Sequence, residues 1–305
     1  MYAVAVESLS KSYNNIHALQ RLTLNVKEAS MYGLIGPDGA GKTTFMRIST
    51  CLLLQTSGSV TVGGFETRKK PSHVKRLIGY MPQRFSLYQD LSVRENLIFF
   101  ADLFGITKKE RLNRIDELLS FSRLGLFLNR RAGKLSGGMK QKLALSCTLI
   151  HKPEVLFLDE PTTGVDPVSR REFWDILADL KRGGTTIIVS TPYMDEAERC
   201  DRVGLIFNGS LFAEDTPDKF PEYFKNELIA VRSPEIVRLA RKLDFPDVVL
   251  DVRTFGDRVN LTVSNALGAV PVIEQFLKSN SIQNAIIERV NPSIEDVFVG
   301  HMKNE

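Results

Sequence analysis

The sequence predicts an α/β fold with an inserted helical segment and a small α+β appendage, and three observations lead there. A short apolar run, Met31 to Ile35, passes through glycines into a helical pattern from Lys42 to Leu54. Two further unbroken apolar runs, Val155 to Leu158 and Thr186 to Val189, suit central parallel strands covered on both faces. Between them and the first part of the sheet, strand signals stop. Helical periodicity fills Leu91 to Ile150, with Leu97, Phe100, Ala101 and Phe104 at i, i+3, i+4 and i+7.

In chain order, Tyr2 to Val6 and Leu22 to Val26 alternate apolar and polar residues as strands do. Met31 to Ile35 is the next strand, the helix from Lys42 follows, and Ser59 to Val62 and Ile78 to Met81 return to short strands. The helical insertion covers about residues 85–150, after which the sheet resumes. Pro217, Pro221 and several charges interrupt the pattern between Glu214 and Lys225 and mark a boundary. The expected domains are therefore 1–220 and 226–305. The second reads strand (Glu227 to Val231), helix (Pro234 to Leu243), strand (Val248 to Thr254), strand (Arg258 to Val263), helix (Ala269 to Lys278) and strand (Ala285 to Arg289). That order is compatible with a split βαβ unit, closed by a last helix from Ser293 to Met302.

A chain of 305 residues with 43% hydrophobic and 25% charged residues buries an ordinary core and has room for two domains. The net charge of +4 is mild and its basic residues are scattered, so nucleic acid is not an expected partner. Cys51, Cys147 and Cys200 lack metal-ligand spacing and read as reduced core thiols. The opening MYAVAVESLS lacks a basic start and an apolar stretch, and the roughly 18 consecutive apolar residues of a membrane helix appear nowhere. The expectation is a cytoplasmic chain.

The stretch Gly36-Pro37-Asp38-Gly39-Ala40-Gly41-Lys42-Thr43 satisfies G-x-x-x-x-G-K-[ST] between a strand and a helix. Its glycines let backbone amides fold around a phosphate chain, and the following helix adds its positive end. Lys42 is placed to neutralise β and γ oxygens and the Thr43 hydroxyl to ligate Mg2+, with Thr44 as a further phosphate contact. A dinucleotide loop would need G-x-G-x-x-G and no lysine. Asp159 and Glu160 close a buried strand at the edge where open α/β sheets present their crevice. Asp159 is the candidate metal ligand and Glu160 the candidate general base for an attacking water. Taken alone, the pair is also what a solvated strand end looks like.

Leu135-Ser136-Gly137-Gly138-Met139-Lys140-Gln141 resembles the signature motif of ABC ATPases, at that family's usual interval before the acidic strand. A lone Ser-Gly-Gly would be only a helix cap. The resemblance covers about residues 1–215. It implies an ABC cassette of the P-loop NTPase fold, binding and hydrolysing ATP with Mg2+ as a dimer in which Ser136, Gly137 and Gly138 serve the partner's γ-phosphate. Tyr13 resembles the aromatic that stacks on adenine, although an aromatic there can simply pack. Gln83 resembles the glutamine that touches magnesium and the attacking water, and Pro161 to Asp166 the loop that signals between cassettes. RRAGKLSGGMKQKLAL and DEPTTGVDP are similar to drug-type exporter cassettes, as is the terminal Asn291 to Phe298, which as a plain amphipathic helix could also just cap the appendage.

The implied setting is the inner face of the cell membrane, on a separate permease docked near Arg84 to Leu91 and the face bearing Leu97 and Phe104. One residue departs from the family. Where its members carry a histidine, this chain has Pro192, which offers neither side-chain donor nor N–H. None of His17, His73, His151 and His301 is near it in sequence. Losing one such donor costs roughly 10- to 1000-fold in rate. A non-hydrolysing or asymmetric partner cassette is therefore the alternative. A soluble ABC ATPase acting on nucleic acid or ribosomes is a more distant one, lacking the second cassette, long arms or zinc insertions expected of it.

Overall fold

The computed structural model describes residues 1–84, 87–233, 235, 245–282 and 284–303, which divide into two compact units, Met1–Pro217 and Asp218–Glu305.

In the first unit, β1 (Tyr2–Tyr13) and β2 (Ile16–Lys27) form a long antiparallel hairpin, extended by β4 (Ser57–Val62) and β5 (Phe65–Glu66) in the order β2-β1-β4-β5. The two strands are longer than their alternating cores suggest. Bulged register, as between Val6 and Leu9, lets pairing continue where the alternation breaks. The second sheet runs β10 (Ser210–Asp215), β9 (Arg202–Phe207), β3 (Met31–Ile35), β8 (Thr186–Thr191), β7 (Val155–Asp159) and β6 (Ile78–Met81). The pairs from β9 to β6 are parallel and β10 is antiparallel. β3, β7 and β8 are buried at every position, which explains their unbroken apolar sequences.

The helix α1 (Lys42–Ser49) buries Phe45, Met46 and Ile48 in a core shared with Val4 and Leu24 of the hairpin and Phe157 and Ile188 of the parallel sheet. Each such side chain contributes about 1.5–3 kcal/mol by leaving water. The helical pattern reached Leu54, but α1 stops at Ser49. Cys51 adopts a left-handed φ of 58°, and the Leu52 and Leu53 amides both turn back to Arg47 O, at 2.8 and 3.1 Å. After α2 (Pro71–Leu77) and β6, the insertion holds α3 (Val93–Leu103), α4 (Lys108–Ser122) and α5 (Gly137–Thr148). Ser92 and Glu95 close a capping box at α3, and Thr107 caps α4. Leu97 and Ala101 are buried, whereas Phe104 is 43% exposed and stacks on the His151 ring at 3.8 Å. α6 (Pro167–Arg182) connects β7 to β8 with Asp166 as its N-cap.

The second unit is an antiparallel sheet in the order β12 (Val249–Phe255), β13 (Arg258–Val263), β11 (Glu227–Arg232) and β14 (Ile286–Val290). This is the strand order of a split βαβ unit. Apart from residue 235, the helix expected over 234–243 lies outside the described residues. α7 (Ala266–Ser279) packs Ala269, Ile273 and Leu277 on Ile229, Val231 and Leu261. α8 (Ile294–Met302) opens with a Ser293–Asp296 capping box, and Asp296 pairs with Arg253 at 3.1 Å. Among the described residues no helix is long and apolar enough to cross a membrane.

Candidate active site

Residues 36–41 join β3 to α1 and bend tightly against the rest of the unit. A Cβ at Gly36 would lie 2.2 Å from Ile206 O, and one at Gly41, where φ is 105°, 2.5 Å from Ala18 O. Only glycine fits either position. Asp38 and Gly39 form the exposed tip, while Ala40 is buried and locked by Ala40 N to Pro37 O at 3.2 Å and Gly209 N to Ala40 O at 3.1 Å. Gly41 is the N-cap of α1 and gives it no side-chain cap, so the first amides of that helix face the loop without an internal acceptor. Thr43 and Thr44 are half-buried on this first turn.

Lys42 is 3% exposed, and its Nζ donates to Gly36 O at 2.7 Å and Pro37 O at 2.9 Å. It also pairs with Glu160 Oε1 at 3.1 Å. Glu160 Oε2 accepts from Gln83 Nε2 at 2.8 Å and lies 3.5 Å from the Thr163 hydroxyl. The backbone of Glu160 is left-handed, with φ 50°, and its amide bonds to Ser190 O and Ser190 Oγ, each at 3.1 Å. Asp159 Oδ1 accepts from Thr43 Oγ1 at 3.1 Å and from Ser190 Oγ at 2.7 Å, and Asp159 Oδ2 is 3.5 Å from Tyr80 OH. Burial, and then the Asp159 charge, push the Tyr80 phenol up to about 12, so it remains a donor at neutral pH.

The fold thus gathers Lys42, Thr43, Gln83, Asp159 and Glu160 from three separate segments. Their chemistry suits an anion with a hard divalent cation: an ammonium, unpartnered helix amides, and the oxygens of Thr43, Asp159 and Gln83. Tyr13 stands at the end of the β1–β2 hairpin, 43% exposed, with the Lys11 ammonium 5.0 Å over its ring. Ser136 is exposed and caps α5 by accepting from Met139 N at 3.3 Å. Gly137 and Gly138 neighbour the loop after β7. A Cβ at Gly137 would be 3.7 Å from Gly164 O, and one at Gly138 would clash with Ser169 Cβ and Oγ at 2.4 Å. Pro192 follows β8 directly, and the next amide, Tyr193 N, is taken by Thr191 Oγ1 at 3.1 Å.

Tyr80 and Ser190 belong to the site although no motif marks them. Ser190 stands opposite Asp159 in the parallel β7–β8 register, and Tyr80 lies on β6 beside β7. That signal requires the strand order.

Residues 19–163 match the ABC transporter family model. Over 303 residues the chain is 35% identical to the daunorubicin resistance ATP-binding protein DrrA2 of Streptomyces coeruleorubidus, covering 98% of this chain and 94% of that protein. The chain belongs to the ABC transporter ATP-binding family. This cassette is also 41% identical over 285 residues to the probable multidrug ABC transporter ATP-binding protein YbhF of Escherichia coli. That match covers 92% of the cassette but 48% of YbhF, so the chain spans about half the length of that relative. Among solved structures, the cassette is similar to a dimeric ATP-binding cassette in a post-hydrolysis state bound to ADP and Pi. The TM-score is 0.64 at 27% identity, over 70% of this chain and 98% of that one.

Proposed function

We propose that this chain is the ATP-hydrolysing subunit of an ABC exporter of the drug type, working as a cassette dimer on a separate membrane permease. The observation that supports it best is the Lys42–Glu160–Gln83 cluster beside Thr43 and Asp159, in a chain aligned along 94% of DrrA2. Residues 36–44 hold the phosphates, with Lys42 on the β and γ oxygens and Tyr13 against adenine. Thr43 and Asp159, with Gln83, would hold Mg2+, which would neutralise charge on the phosphate oxygens. Gln83 orients the water. Glu160 takes a proton from it as its oxygen attacks the γ-phosphorus and the bond to the β-phosphate oxygen breaks, leaving ADP and phosphate.

Ser136 and Gly137 are exposed and Gly138 is buried against Ser169 of α6, and in this reading the three close the site of the facing cassette. The nucleotide-binding domain is residues 1–220 and the accessory domain 226–305. The chain acts in the cytoplasm, at the inner face of the membrane. The permease docks in the cleft lined by Gln83, Arg84, Leu87, Gln89, Lys140 and Gln141, of which Arg84, Leu87 and Gln89 belong to the expected Arg84 to Leu91 segment; positions 85 and 86 of that segment lie outside the described residues. Arg84→Glu is expected to uncouple hydrolysis from export.

Steady-state ATP hydrolysis, beside Glu160→Gln, tests the whole reading. Loss of a general base lowers kcat by about 100-fold or more while ATP still binds. Equal rates for the two proteins, with ATP bound by both, would instead favour a silent or asymmetric cassette, the reading that Pro192 supports.

A further inference from the structure

Glu196 lies outside every motif read from the sequence, yet its carboxyl group is 3% exposed and accepts two hydroxyl hydrogen bonds. Thr162 Oγ1 donates to Glu196 Oε1 at 2.7 Å, and Thr191 Oγ1 to Glu196 Oε2 at 2.6 Å. From α6, Arg170 lies 3.9 Å from Oε1 and divides its guanidinium between Glu196, Asp195 at 3.5 Å and the Tyr193 ring at 5.0 Å. Withdrawing a carboxyl group from water this completely is unfavourable, and an apolar side chain of similar volume serves stability as well or better. Packing alone does not account for a glutamate here.

What the glutamate joins does account for it. Thr162 is two residues beyond Glu160, on the loop that leaves β7. Thr191 ends β8 and follows Ser190, whose side chain donates to Asp159 and accepts from the Glu160 amide. Glu160 itself holds a left-handed backbone that a non-glycine residue adopts only under restraint. Its restraints are the β8 end on one side and residues 162 and 163 on the other, and Glu196 ties those two sides together.

We propose that Glu196 is a positioning residue for ATP hydrolysis: by clamping Thr162 to Thr191 it holds the Glu160 carboxylate at the angle from which it takes the proton of water. The inference rests on Glu160 being the base. Glu196 acts on orientation and leaves the phosphate loop alone, so its loss changes kcat and not the KM for ATP.

The test is steady-state hydrolysis by the full chain carrying Glu196→Gln, which keeps the volume but accepts only one of the two hydroxyl bonds. The kcat is expected to fall about 10-fold, a misplacement effect, at unchanged KM. Thr162→Ser, which keeps the hydroxyl, should retain wild-type kcat. Thr162→Val should lose as much as Glu196→Gln, and the double variant no more than either single one, since all three break the same clamp. A Glu196→Gln enzyme with wild-type kcat overturns the proposal, as does a loss shared equally by Thr162→Ser and Thr162→Val. If Glu196→Gln fails to fold, the Thr162 pair decides: equal kcat for Ser and Val overturns it. Glu160→Gln runs alongside. Wild type above that control with an unaffected Glu196→Gln removes the clamp alone, whereas wild type equal to it removes the base and the clamp together.

Discussion

Lys42 Nζ and Glu160 Oε1 are 3.1 Å apart, with side chains 3% and 6% exposed, so the cation of the phosphate loop and the candidate base share one solvent-shielded pair. An ammonium has three N–H donors, and Gly36 O, Pro37 O and Glu160 use all three. A phosphate oxygen reaching Lys42 must displace one of them. The carboxylate is the partner that like charge drives off, so in the proposed function phosphate binding would free Glu160 from its ion pair to act as the base.

Lys42→Ala therefore carries two penalties that separate experimentally. It leaves a buried carboxylate unpaired, which costs about 3 kcal/mol of stability, read as a lower denaturant midpoint. It also removes a charge-assisted contact to phosphate worth about 2 kcal/mol, read in a nucleotide titration. An unchanged midpoint would mean that Glu160 is solvated on its own.

Gly138→Ala is expected to destabilise the first unit by about 1–3 kcal/mol through overpacking, because the new methyl meets Ser169 Cβ and Oγ at 2.4 Å. Ser169→Gly removes both atoms and should restore thermal stability to the double variant. Failure of that rescue would place the strain elsewhere.

Pro192→His supplies an N–H and an imidazole at the end of β8. If the site lacks a donor to the γ-phosphate, the variant hydrolyses ATP about 10-fold or more faster than wild type. A rate that stays the same shows that the other donors suffice.

His151 is held below the ordinary histidine value of 6.5 chiefly by burial and further by the Arg114 charge, while its bond to Ile78 O, at 2.9 Å, works in the opposite direction. A histidine with a depressed folded-state pKa contributes stability that is complete above its unfolded value and is lost as the pH falls through the folded one. Chemical denaturation between about pH 7.5 and about pH 5.5 should show wild type losing more stability than His151→Gln. Parallel losses would mean that His151 titrates as it does in the unfolded chain.

The phosphate loop and the Asp159-Glu160 pair were legible because each is contiguous: spacing and a neighbouring apolar run suffice. Ser190, Tyr80 and Glu196 were not. They reach the site through sheet register and hydrogen bonds between segments up to 79 residues apart, as for Tyr80 and Asp159, and nothing local distinguishes them from other strand or loop residues. Gln83 was legible only by resemblance. α6 has a readable start in Asp166-Pro167 and an apolar face in Phe173, Trp174 and Leu177, but the resemblance of Pro161 to Asp166 to a signalling loop masks the role of Asp166 as N-cap. The apolar periodicity continues through Leu52 to Leu54 beyond the end of α1, because the left-handed turn at Cys51 that ends the helix leaves no mark in that pattern.

Among the described residues β6 has a single neighbour in its sheet, β7, and its other side ends the row. Gln83 leaves from that strand and reaches Glu160, and the chain then runs on into the helical insertion. The insertion is therefore joined to the sheet at two unlike places: its start leaves the rim strand β6, and its end returns to β7, one strand further in.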